Sequence, residues 1–140
     1  MIVPDTSTWK HVGDTSNTRY YLIEPHVLGA VPTRGTSDDG SSARANMTFQ
    51  NAFLKEAGGG VVVIFFDLML SQDKAARRVY QTEPDPAVFR GAALVGGSLL
   101  SRAMGSFFLG LSKPKVALEM FADTEAALAW ARELNCPRGS

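Results

Sequence analysis

Val61-Val62-Val63-Ile64-Phe65-Phe66-Asp67 is the stretch on which the fold turns. Six consecutive apolar residues, four of them β-branched, leave no polar side for solvent, so both faces of this strand must be covered. A strand of that kind sits in the middle of a sheet with helices packed above and below it. Asp67 closes it, at the carboxyl end of a central strand, where sites in open α/β sheets are found. The same carboxylate can equally cap the turn that follows.

The neighbours on both sides agree with this placement. Upstream, Met47, Phe49, Ala52, Phe53 and Ala57 recur near the helical period, Ser41 or Ser42 can cap the first turn, and Gly58-Gly59-Gly60 ends the helix with a residue able to take positive φ. Downstream, Ser71 stands where an N-cap is expected, Asp73 falls in the first turn, and a second helix runs to about Tyr80. A loop with Pro84 and Pro86 follows, then a short apolar strand Gly91–Val95 ending at Gly96-Gly97-Ser98. A third helix carries Leu100, Ala103, Met104, Phe107, Phe108 and Leu111 on one side, Val116–Phe121 forms a last strand, and Asp123 caps a final helix with Leu128, Trp130, Ala131 and Leu134 inward.

Further upstream, Arg19–Thr33 reads as two antiparallel strands broken at Glu24-Pro25, and 33–42 as a mobile loop rich in turn formers. Residues 1–18 form an irregular lead or a short first strand at Trp9–Val12, 19–135 form one domain, and 136–140 a tail. The expected architecture is α/β, a single small mixed sheet of four to six strands with about four helices. Alternating strands and helices in the second half call for right-handed crossovers and parallel pairing there.

Composition excludes several function classes. The 140 residues are 45% hydrophobic and 20% charged, a globular profile. Fourteen Lys and Arg balance fourteen Asp and Glu, so the basic face that nucleic acid requires is absent, and Lys74, Arg77 and Arg78 read as a solvated helix face. Balanced charge does little to oppose self-association, which leaves a homodimer open. The single cysteine, Cys136, permits no intrachain disulfide and stands in a terminal tail without a histidine beside it. The start lacks a secretory pattern and no apolar run approaches the roughly 20 residues of a membrane span, so a soluble, cytoplasmic protein is expected.

Catalytic chemistry finds no complete motif. His11 and His26 lack partners at metal-ligand spacing, except Glu24, which would share a strand face with His26. Gly96-Gly97-Ser98 can cradle an anion at a helix start or simply allow a tight turn, and it falls short of both nucleotide fingerprints and of a nucleophile elbow. Met104, Phe107 and Phe108 read either as core or as the wall of a groove for a nonpolar ligand. No catalytic, metal or cofactor residue is assigned. An enzyme using Asp67 with a borrowed cofactor is the least favoured reading.

From Gly60 to Leu134 the chain resembles the STAS-like proteins related to the sporulation anti-sigma-factor antagonist, the SpoIIAA-like family. The resemblance rests on Val61–Asp67, the helix Ala75–Tyr80, Ala92-Ala93-Leu94-Val95-Gly96-Gly97-Ser98, and above all the ending Met120-Phe121-Ala122-Asp123-Thr124-Glu125-Ala126-Ala127-Leu128-Ala129-Trp130, an apolar strand running into Phe-x-Asp-x-x-x-Ala-x-x-Trp. It implies a noncatalytic regulatory or adaptor module acting through protein partners. The likeness of some relatives to Sec14-type domains implies, as the alternative, a lipid-like ligand beside the third helix. It also implies a phosphorylatable serine at the start of the helix after the central strand; Ser71 is nearest by position, and the usual Asp-Ser-Ser-Gly style motif is absent. The partner or ligand surface expected on these grounds comprises Asp67, Ser71, Gly96, Gly97, Ser98, Met104, Phe107 and Phe108.

Overall fold

The computed structural model describes residues 2–97 and 116–136. Eight strands are present among them: β1 (Lys10–Asp14), β2 (Thr18–Glu24), β3 (Val27–Pro32), β4 (Thr36–Asp38), β5 (Gly60–Phe65), β6 (Met69–Gln72), β7 (Phe89–Val95) and β8 (Leu118–Phe121). The helices are α1 (Gly40–Ala57), α2 (Lys74–Thr82) and α3 (Thr124–Asn135), with a 3₁₀ turn at Phe66–Leu68. Six strands form one sheet in the order β1-β2-β3-β5-β7-β8, while β4 and β6 form a separate two-stranded ribbon. Pairing is antiparallel from β1 to β3 and parallel from β3 to β8, the mixed sheet expected from the sequence.

β5 sits near the middle, and its alternation divides the core in two. Val62 packs with Tyr20, Leu28, Met47, Leu54 and Val79, between the sheet and α1 with α2. Val61, Val63 and Phe65 face the other way, onto Ala127, Leu128 and Ala131 of α3. The crossovers β3-α1-β5 and β5-α2-β7 step in the same direction along the sheet, so crossovers of one hand put α1 and α2 on one side. The final helix then covers the opposite face, which is why β5 has no polar side. Asp123 caps α3 as expected, its carboxylate accepting the Ala126 N–H at 2.8 Å.

Several expectations are corrected. Residues 33–42 are not a loop throughout: Thr36–Asp38 pairs in parallel with Met69–Gln72, Ser37 standing opposite Ser71. The N-cap of α1 is Asp39, not Ser41 or Ser42, although Ser42 completes a capping box with it. The buried face of α1 is Ala43, Asn46, Met47, Gln50 and Leu54, rotated from the expected stripe; Ala52 is exposed and Phe49 and Phe53 are half-buried. Gly58 does close α1 in the left-handed region, at φ 83°, where a side chain would be strained. Ser71 lies within β6 and caps nothing; Asp73 is the N-cap of α2, accepting the Ala76 N–H at 2.8 Å. His26 occupies the β2–β3 turn at φ 64°, so it shares no strand face with Glu24.

Candidate functional site

Three separate features stand near the carboxyl ends of β5 and β7 and on the ribbon beside them. The first is built on Asp67. Its Oδ2 accepts the backbone N–H groups of Ile2 and Gly97, each at 2.7 Å, and the residue is 7% exposed. At Gly97 a Cβ would lie 2.9 Å from Ile2 Cγ1, so any side chain there would displace that of Ile2. Gly96 is equally tight, since a Cβ would stand 2.9 Å from the Phe66 ring and 3.2 Å from Asp67 Oδ1. Asp67, Gly96 and Gly97, singled out separately in the sequence, are thus brought together. The carboxylate holds residue 2 and the end of β7 to the end of β5.

The second feature is the ribbon. Ser71 donates its hydroxyl hydrogen to Ser37 Oγ at 3.0 Å, on the exposed side of the β4–β6 pair. Between Met69 and Ser71 stands Leu70, 67% exposed. Leu70 falls at the register shift of the β4–β6 pair, between the partners of Thr36 and Ser37, and has no partner of its own; such a bulge turns the side chain outward. Ser71 is therefore joined to Ser37 and Leu70, and not to the Asp67 group. Ser98, Met104, Phe107 and Phe108, and the third helix expected to carry them, lie outside the described residues.

The third feature was not anticipated. Asp38, the last residue of β4, is 2% exposed, and its carboxylate is held by Asn17 Nδ2 at 3.1 Å, by the Ser42 hydroxyl and by the Tyr80 hydroxyl. Asn46 extends the network, donating to Asn17 Oδ1 at 2.9 Å and to Tyr80 Oη at 3.1 Å while accepting from Tyr20 Oη at 2.8 Å. Gln50 donates to Tyr20 Oη at 3.0 Å. Burial, with the nearby Asp38 charge, pushes both tyrosine hydroxyls far above their usual range, so they stay protonated donors. The network borders a cavity of about 90 Å³ under α1 and α2. Its sequence signal was the spacing of Asn46 and Gln50, polar residues in step with the apolar positions Ala43, Met47 and Leu54.

Among the described residues neither histidine is set against a hydroxyl or thiol. His11 pairs with Asp14 at the surface, 2.7 Å away, and His26 Nδ1 contacts the Gly59 carbonyl at 2.8 Å. Among the described residues there is no group of three His, Cys, Asp or Glu able to hold a metal ion, and no helix long and apolar enough to cross a membrane.

With this geometry in place, comparison with known proteins defines the class. The chain has a STAS-like fold: a solved structure of the anti-sigma factor antagonist SpoIIAA in its unphosphorylated form superposes with a TM-score of 0.53, covering 82% of this chain and 97% of the other at 12% identity. No curated protein matches the sequence. The chain belongs to the family described as Domain of unknown function (DUF7793), whose model matches residues 33–135.

Proposed function

We propose that this chain is a noncatalytic regulatory or adaptor module that acts by binding another protein, and that its binding face is the β4–β6 ribbon. The observation that carries this reading is Leu70, 67% exposed and flanked by the hydroxyl pair of Ser37 and Ser71. A partner that takes the Leu70 side chain into an apolar socket gains about 1.5–3 kcal/mol from its burial, roughly a ten- to hundredfold contribution to affinity. The hydroxyl pair beside it supplies polar contacts at the rim. The fold shared with an anti-sigma factor antagonist supports the same reading.

Phosphorylation of Ser71 would control this contact. A phosphate there would break the bond to Ser37 and set a charge of about −1.5 to −2 next to Leu70, weakening an apolar contact. The solved relative is described in its unphosphorylated form, and the exposed serine nearest to Leu70 is the position where a modification would be felt. A reducing cytoplasm is the compartment this reading assigns, since one cysteine provides no disulfide.

A lipid-like ligand is the weaker alternative. The third helix, beside which that ligand is expected, lies outside the described residues; the cavity under α1 and α2, at about 90 Å³, falls well short of the roughly 300–1,000 Å³ of pockets that enclose drug-sized molecules. The experiment that separates these readings is affinity capture with the wild-type protein, Leu70→Arg and a matched surface control, Val3→Arg. A partner held by wild type and control but lost from Leu70→Arg supports the proposal; identical partner sets in all three would refute it.

A further inference from the structure

Among the described residues no cationic side chain faces the Asp38 carboxylate. Its three side-chain partners, Asn17, Ser42 and Tyr80, are neutral donors, and none of the ion pairs among the described residues reaches it. A carboxylate that is 98% removed from water would ordinarily be matched by a cation, because neutral hydrogen bonds replace hydration only in part. The same carboxylate lines the cavity of about 90 Å³, whose other walls include the rings of Tyr20, Phe66, Tyr80 and Phe89. Aromatic faces attract cations, and these rings and the carboxylate border one space. Half-buried Met69 and Gln72 also line it, so it communicates with the surface beside the ribbon.

We propose that this cavity binds a small organic cation, a primary or methylated ammonium of roughly three or four non-hydrogen atoms, the size scaled from a cavity of about 150 Å³ that holds benzene. The ammonium supplies the positive charge that no described residue brings to Asp38, and its alkyl part lies against the rings. A neutral guest of the same shape leaves the carboxylate uncompensated, and a bare metal ion finds too few oxygen ligands among largely apolar walls. The inference goes beyond the protein-binding reading and does not depend on it. Asp38 nevertheless ends β4, and its carbonyl accepts the N–H of Asp73 at 3.0 Å at the start of α2, so the cavity lies beneath the same ribbon.

The test is calorimetric titration of the whole chain with trimethylammonium and ethylammonium chlorides at constant ionic strength, with tert-butanol as the neutral counterpart. Saturable binding of an amine, at least tenfold tighter than tert-butanol, is expected. Asp38→Asn is expected to weaken it tenfold or more, and Ala92→Leu, which fills the cavity and leaves Asp38 in place, to abolish it. No saturable binding of either amine to the wild type, equal binding of tert-butanol, or undiminished binding by a folded variant would overturn the proposal. Should Asp38→Asn fail to fold, the amine-against-alcohol comparison on the wild type and Ala92→Leu decide it.

Discussion

The Tyr80 hydroxyl donates to the Asp38 carboxylate across 42 positions of sequence, tying α2 to the end of β4. The same oxygen accepts from Asn46 of α1, so one phenol joins both helices to the ribbon. Tyr80→Phe removes the donor and leaves a buried carboxylate one hydrogen bond short. Such a loss costs about 1–3 kcal/mol, and urea denaturation of the variant is expected to show that decrease in stability with an unchanged slope. A variant as stable as the wild type would mean that the network contributes nothing net.

Asp67 is expected to govern the order of residue 2 and of the end of β7. Asp67→Ala leaves the N–H groups of Ile2 and Gly97 without their acceptor; Gly97 is exposed and Ile2 half-buried, so water takes over part of the loss and the cost is about 0.5–1.5 kcal/mol. Amide hydrogen exchange at Gly97 should accelerate in the variant while exchange in β5 keeps its wild-type pattern. Unchanged protection at Gly97 would show that the carboxylate is not what holds this end of the sheet.

Asp39 gives the start of α1 a defined acid sensitivity. The N–H of Ser42, donating to its carboxylate at 2.8 Å, holds the Asp39 pKa below its ordinary value of 3.8. A depressed carboxylate stabilises the fold fully above that ordinary value, and the contribution is lost as pH falls through the lower folded-state value. Asn caps equally well without titrating. The stability difference between wild type and Asp39→Asn, followed by circular dichroism, should therefore shift in favour of the variant only below about pH 4. A difference independent of pH from 6 to 2 would contradict this.

These cases also show why some of the fold was legible in the sequence and some was not. Val61–Phe66 was readable because an apolar run on both faces of a strand has few solutions, and Asp123 because a cap one residue before an amphipathic helix is a local signal. The ribbon was hidden: Thr36-Ser37-Asp38 is polar and three residues long, and it becomes a strand only because Met69–Gln72 lies beside it. Ser71 and Asp73 are both good capping residues, and local preference favoured the serine; the helix starts after Asp73 because β6 extends through Gln72. Asp67 was noticed for its place at the end of β5, and its partners Ile2 and Gly97, 65 and 30 positions away, came only with the fold. Asp38 escaped notice because its three side-chain partners come from three separate segments.

The central claim is that Leu70 anchors a protein partner on the β4–β6 ribbon, with Ser71 as the point of control. The most direct measurement is the affinity of a partner captured by the wild type, compared across Leu70→Arg, Ser71→Asp and the Val3→Arg control by surface-immobilised binding. At least a tenfold loss for Leu70→Arg, a smaller loss for Ser71→Asp and none for Val3→Arg is predicted. Equal affinity for the wild type and Leu70→Arg, both folded, would contradict it and remove the ribbon from the binding face.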